Sequence, residues 1–372
     1  MKLTQALQIE STCEARCSLA KKWFWSLAGK TALLGLAAAS LLPTGVLAAA
    51  PTAAVAQPIS GKGATIRYQK YNSFGELLFI VAEERFCAKY DIKCSGVLIT
   101  AGPLGIQSLL GNSLEVAQVS TDVTVRAVAN GADVRVIMGA MDRVPFHVVA
   151  RNDVSLPHKR DGYPAVMQDF KGKRIGVTAR GAGVELVFDL MLRSAGMSPS
   201  DVTYVPVGGP PTALGSMKSK QIDGLVLFQP LPAMCQTTGI CSSVIDLTKG
   251  QGPESVKELT GAGASMVAKR EYLEKNPEVM RAFMAAIQDA EQYLKNPDNY
   301  DDVKAISKKH IKLDLPNADE IFDISLKEWI SNTETRVNRS AIQKFSQLLE
   351  ERKLIPAQID PKAVVWSNAP GR

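Results

Sequence analysis

The residues with the clearest chemical potential lie between Asp169 and Phe228. An apolar strand pattern, Ile175-Gly176-Val177-Thr178, runs into the glycine turn Ala179-Arg180-Gly181-Ala182-Gly183. Val184, Val187, Leu190 and Met191 then recur at helical spacing, and Gly196 ends the run. Strand, glycine turn and helix start make an anion-binding arrangement. The first backbone N–H groups of a helix have no internal acceptor, and the helix dipole points its positive end at the turn. Gly181, Ala182 and Gly183 are therefore candidate ligand contacts through main-chain N–H groups. The turn lacks the third glycine of a dinucleotide fingerprint, and by itself it is also compatible with a simple change of chain direction. Arg180 either offers a bidentate contact to a carboxylate or sulfonate or points to solvent.

These residues need a frame to hold them, and the sequence states that frame twice. After Val202-Thr203-Tyr204-Val205 come Gly208-Gly209-Pro210-Pro211, a short helical pattern with Leu214 and Met217, Asp223-Gly224, and a strand pattern ending at Phe228. About a hundred residues upstream the same order occurs. Val97-Leu98-Ile99 leads to Ala101-Gly102-Pro103, a helix face of Ile106, Leu109 and Leu110, then Glu115 and the strand Val116–Val119. The repetition predicts an α/β protein of two similar lobes.

The segment from Asp169 to Val177, the helix 184–196, Val205-Pro206-Val207-Gly208 and Asp223-Gly224 carry a resemblance. They look like the second lobe of the periplasmic substrate-binding proteins of ABC importers for nitrate, sulfonates and taurine, a family with a thiamine-pyrimidine branch. The likeness runs from about Thr65 to Ile359. It implies a two-lobe, type II periplasmic-binding-protein-like fold with a ligand cleft between the lobes. Lobe 1 is expected over 64–149 plus 264–372, and lobe 2 over 150–263. The crossing strands would lie near Val148 and Met266. The implied partners are a small solute and the membrane permease and ATPase of an importer, for a monomeric receptor. An enzyme or a sensor on the same two-lobe frame is the alternative. The cysteine-rich iron motif of the fungal enzymes in the thiamine-pyrimidine branch is not visible in this sequence.

Further candidates follow from the frame. Open parallel sheets bind ligands at the carboxyl ends of their strands. Ser120 and Thr121 after Val119 are thus hydrogen-bonding candidates, as are Pro103 at the first Gly-Pro turn and Gly208 and Gly209 at the second. Tyr71, Asn72, Ser73 and Phe74 follow the first strand, and the resemblance brings this turn to the cleft; Ser73 with Glu76 also reads as a capping box. Phe74, Met141 and Phe228 would supply apolar contact. His147 reads as a structural side chain, and the carboxyl-terminal helices as an outer layer carrying no chemistry.

Composition narrows the class. The 43 Lys+Arg against 37 Asp+Glu give a net charge of +6. That charge is spread out, so nothing marks a nucleic-acid binder. Arg16, Lys21 and Lys22, an apolar run from Thr31 to Leu42 and Ala-rich cleavage candidates up to Ala56 have the order of a secretory signal. Export over residues 1–56 to the periplasm is expected, leaving about 315 residues. In an oxidising compartment Cys87 with Cys94 and Cys235 with Cys241 form two local disulfides, or else they are four small buried residues. No nucleophile elbow, Walker A loop, His-Glu-x-x-His or His/Asp cluster is seen. The expectation is therefore no catalytic set, no metal and no cofactor.

Overall fold

The computed structural model describes residues 58–372; the export signal and its cleavage candidates lie outside the described residues. Ten strands form two groups. The first contains β1 (Ala64–Lys70), β2 (Ile92–Leu98), β3 (Ala117–Ser120), β4 (Val134–Met141) and β10 (Ala264–Lys269). The second contains β5 (His147–Arg151), β6 (Arg174–Val177), β7 (Thr203–Pro206), β8 (Gly224–Leu227) and β9 (Cys241–Asp246).

The two groups share one plan. In the first, β1 pairs in parallel with β2 and meets the residue before β3 through a parallel Tyr68–Val116 bridge. Strand β10 lies antiparallel between β3 and β4. In the second, β6 lies parallel between β7 and β8, and β5 is antiparallel between β8 and β9. The orders β2-β1-β3-β10-β4 and β7-β6-β8-β5-β9 therefore correspond strand for strand. Each antiparallel member, β5 or β10, enters from the chain of the other half. The chain thus crosses between the two groups twice, once into β5 and once into β10.

The repeat extends to side chains. Arg67 donates its backbone N–H (2.7 Å) and Nε (3.0 Å) to Glu115, and Nη2 to the Asn112 carbonyl (2.8 Å). Arg174 donates its backbone N–H (2.9 Å) and Nε (3.1 Å) to Asp223, and Nη2 to the Lys220 carbonyl (2.8 Å). Both carbonyls belong to residues at positive φ, 58° for Asn112 and 59° for Lys220. A bidentate arginine thus fixes the same helix-to-strand corner in each half.

Helices α1 (Leu77–Arg85), α2 (Gly102–Leu110) and α3 (Thr121–Ala129) belong to the first half; α4 (Gly183–Ser194), α5 (Pro210–Lys218) and α6 (Leu231–Thr238) to the second. Two short helices follow, α7 (Glu254–Lys257) and α8 (Arg270–Lys275). The chain ends with α9 (Pro277–Lys295), α10 (Tyr300–His310), α11 (Ala318–Asn332), α12 (Arg339–Glu351) and α13 (Pro361–Val364). Pro277 stands in the first turn of α9, where its missing N–H costs no helical hydrogen bond. That helix packs on α1, with Phe283 against Phe79 at a ring separation of 6.1 Å. Both rings are buried, which stabilises the first half by about 2 kcal/mol each. Disulfides join Cys87 to Cys94 and Cys235 to Cys241.

Candidate functional site

A cavity of about 70 Å³ lies where the carboxyl ends of strands from both halves face each other. Tyr71 follows β1, Ser120 ends β3, Met141 ends β4, Thr178 follows β6 and Phe228 follows β8; all five line it. This is the position that open α/β sheets leave for ligands. Aromatic rings form much of the wall. Phe228 meets Tyr71 edge-on at 6.1 Å and Trp329 at 6.2 Å, and Phe146 lies 6.3 Å away. Such T-shaped and tilted contacts hold each ring in one orientation.

The second half contributes donors. The N–H groups of Gly183 and Val184 open α4, both residues line the cavity, and neither N–H has a protein acceptor among the described residues. They sit at the positive end of a 12-residue helix. Glycine at 183 is a matter of space. A Cβ there would come within 2.3 Å of Ser120 Oγ and 2.8 Å of Asp122 Oδ1, both across the gap between the halves.

The first half contributes acceptors. Gln118 is 5 % exposed; its Nε2 donates to the Gly75 carbonyl (2.5 Å), and its Oε1 has no partner. A carbonyl only accepts, so this contact fixes which end of the amide is which. The Tyr71 hydroxyl donates to the Gln118 carbonyl (2.6 Å), and burial pushes its pKa up, keeping it a phenol. Ser120 donates its hydroxyl to Asp122. Asp122 is buried and pairs with Arg126 at 2.7 Å, and Arg126 Nη2 donates across the gap to the Gly181 carbonyl (2.6 Å). Behind Tyr71, the Glu76 carboxylate accepts the Tyr71 N–H (2.5 Å), and burial raises its pKa to about 7.

Six of the candidates from sequence line the cavity: Tyr71, Ser120, Met141, Ala182, Gly183 and Phe228. The others are placed elsewhere. Arg180 is the main correction. Its side chain is 62 % exposed, pairs with Glu185 at 2.9 Å and lies 5.4 Å over the Tyr204 ring. Glu185 in the first turn of α4 is the nearer anion and draws the guanidinium outward. Gly181 lies at φ 73°, donates its N–H to Glu185 (2.8 Å) and gives its carbonyl to Arg126. Gly208 donates its N–H to the Thr178 carbonyl (3.2 Å), and Gly209 packs by the Tyr71 carbonyl. Pro210 and Pro211 open α5, so its first two positions have no N–H to offer.

Asn72 accepts the Lys312 N–H (3.3 Å), and Ser73 caps the next turn by accepting from Gly75 (3.2 Å). Phe74 is buried against Phe322 at 5.5 Å. Pro103 sits in the first turn of α2, and Thr121 bonds to Ser265 at 2.7 Å. Sequence reasoning missed Gln118, Thr178, Phe146 and Trp329. Thr178 obeys the strand-end rule that found Ser120. Trp329 carries no such signal, because it comes from α11, a helix expected to be an outer layer without chemistry. The expectation of no His/Asp cluster also fails. His147, Asp246 and Glu328, far apart in sequence, place ligand-type atoms within 4.8 Å of one another.

The model of the NMT1-like family matches residues 52–307. The chain belongs to the NMT1-like family. A binding protein of Brucella abortus is 26 % identical over 241 residues, covering 64 % of this chain and 68 % of that one. The alkanesulfonate-binding protein SsuA from Xanthomonas axonopodis pv. citri, solved with MOPS, superposes with a TM-score of 0.65 at 18 % identity. That match covers 82 % of this chain and 98 % of SsuA. The periplasmic nitrate-binding protein NrtA from Synechocystis PCC 6803 gives 0.64 at 15 % identity, covering 80 % and 84 %. This NMT1-like chain therefore has the two-lobe periplasmic-binding-protein fold, and its cavity lies between the lobes.

Proposed function

We propose that the protein is a periplasmic solute receptor. It closes its lobes on a small anionic solute of the sulfonate, taurine or nitrate kind and delivers it to the permease and ATPase of an ABC importer. The lobes are 64–149 with 264–372 and 150–263, hinged at the two crossing strands, and residues 1–56 direct export. The observation that carries the reading is the pair of unpartnered N–H groups at Gly183 and Val184, residues that line a cavity which Ser120 lines from the other lobe. An anion there meets donors and a helix dipole away from bulk water, where both act more strongly. The wall combines main-chain N–H groups, rings and an amide with the hydroxyl-bearing Ser120 and Thr178, a set of hydrogen-bonding groups that suits holding a solute. An apolar cavity of about 150 Å³ holds benzene, so about 70 Å³ favours the smaller members of the proposed class, such as nitrate, over the larger sulfonates.

A thermal-shift panel of nitrate, taurine, short alkanesulfonates, small carboxylates and pyrimidines tests this. A solute at a hundredfold its Kd stabilises by about 2.7 kcal/mol, which for a chain of this length raises Tm by about 4 °C. No shift with any anion on the panel would overturn the reading.

A further inference from the structure

Three pairs of neighbouring residues sit back to back across the wall of the solute cavity. Phe146, Phe228 and Trp329 face the cavity; His147, Gln229 and Glu328, each one position away, face a second pocket of about 370 Å³. Asp246 and Lys249 line that pocket as well.

Three potential ligands converge at its inner end from three separate elements. His147 from β5 places Nε2 2.9 Å from Glu328 Oε1 of α11, and Nδ1 3.6 Å from Asp246 Oδ1 of β9. His147 is 3 % exposed and Asp246 7 %. The carboxylates are held in place from behind. Gln229 Nε2 donates to Glu328 Oε2 (2.9 Å), while its Oε1 is anchored by the Ala233 N–H (3.2 Å). Asp246 Oδ1 accepts from the Thr248 N–H (3.0 Å) and hydroxyl (2.6 Å). Conserving ligand orientation through such outer hydrogen bonds is characteristic of metal sites. The pocket gives access and room for water to complete the coordination.

We propose that His147, Asp246 and Glu328 bind a divalent transition-metal ion, with zinc as the best match to one imidazole and two carboxylates. Without the metal, the Lys249 ammonium, 2.9 Å from Asp246 Oδ2 and 76 % exposed, supplies the positive charge. Glu328 lies nearest His147 Nε2 and Asp246 nearest Nδ1, with one ligand atom from each residue within 4.8 Å of the others. A metal entering displaces the Lys249 ammonium from Asp246 and draws the three side chains inward, so that one ring nitrogen and one oxygen from each carboxylate reach it. The site lies outside the solute cavity, so its fate is independent of the receptor reading.

The test is calorimetric titration of the tag-free, chelator-stripped protein with zinc chloride. One saturable site is expected, with a Kd in the micromolar range or tighter and a rise in Tm on loading. Glu328→Gln and Asp246→Asn, which keep the side-chain volume, each weaken zinc at least tenfold, and Lys249→Gln leaves it equal or tighter. His147→Gln abolishes it. Absence of a saturable heat, or an affinity that His147→Gln and Glu328→Gln both leave unchanged, overturns the proposal and leaves the cluster as a set of hydrogen-bonded side chains.

Discussion

The carbonyl oxygen of Gly181 accepts a 2.6 Å hydrogen bond from Arg126, the shortest polar link between the turn that opens α4 and the other lobe. Arg126 is itself held by buried Asp122, whose other oxygen takes the Ser120 hydroxyl. Ser120 lines the cavity. One chain of contacts therefore runs from the cavity wall to a hydrogen bond across the cleft.

Removing that hydrogen bond should loosen the closed state. A hydrogen bond from a charged donor contributes about 1.5–3 kcal/mol. Arg126→Ala is expected to weaken solute binding by about tenfold or more, mainly through faster release. Stopped-flow dissociation reads the effect. Because the change leaves Asp122 buried without its cation, Arg126→Ala with Asp122→Asn is the companion that recovers stability but not affinity.

Gly183→Ala addresses the closure itself. Its Cβ would collide with Ser120 Oγ only when the lobes meet. Affinity should fall by about a hundredfold, which corresponds to about 2.7 kcal/mol, while Tm without solute stays near that of the parent. Adding Ser120→Gly removes the first clash, and partial recovery of binding in the double variant confirms the geometry. Equal affinity in parent and Gly183→Ala would show that the two edges do not meet as described.

Glu76 makes stability depend on pH. Burial, opposed by the Tyr71 N–H and by Lys70, raises its pKa from the ordinary 4.5 to about 7. The folded state therefore holds a proton that the unfolded chain releases near 4.5. The contribution is complete below that pH, declines as pH rises and is gone above about 7. Relative to Glu76→Gln, the parent should lose about 3 kcal/mol between pH 4.5 and 7. Parallel stability profiles for the two proteins would contradict this.

The corner arginines predict matched effects in the two lobes. Burial pushes the Asp223 carboxyl up, but its hydrogen bonds from Arg174 and the charges of Arg174 and Arg151 leave it below the ordinary 3.8. Glu115→Gln and Asp223→Asn should each destabilise by about 1–3 kcal/mol. They belong to different lobes, so the double variant should show the sum. Chemical denaturation measures all three.

Glu115 and Asp223 also show how far the sequence could be read. They were visible as the acidic member of a repeated strand, Gly-Pro turn, helix and strand, and the structure gives them equivalent bonds. The repeat made the two-lobe fold legible, because strand and helix periodicity are local properties. The site was legible only where it shares that locality. Ser120, Gly183 and Phe228 follow from the ends of strands and the start of a helix. Arg180 did not, since the choice between a ligand and Glu185 depends on which way a long side chain leaves a turn. Trp329 and Glu328 come from a helix about a hundred residues beyond Phe228 and Gln229, the residues they contact. Nothing in the spacing of α11 says which face meets the cleft, so its roles appear only in three dimensions.

The central claim is that the first N–H groups of α4 hold the solute between closed lobes. Amide hydrogen exchange at Gly183 and Val184, with and without a solute that raises Tm, measures this directly. Exchange at both amides is predicted to slow at least tenfold when the solute binds. Unchanged exchange at these two positions, with the solute bound and protection appearing elsewhere, would contradict the account.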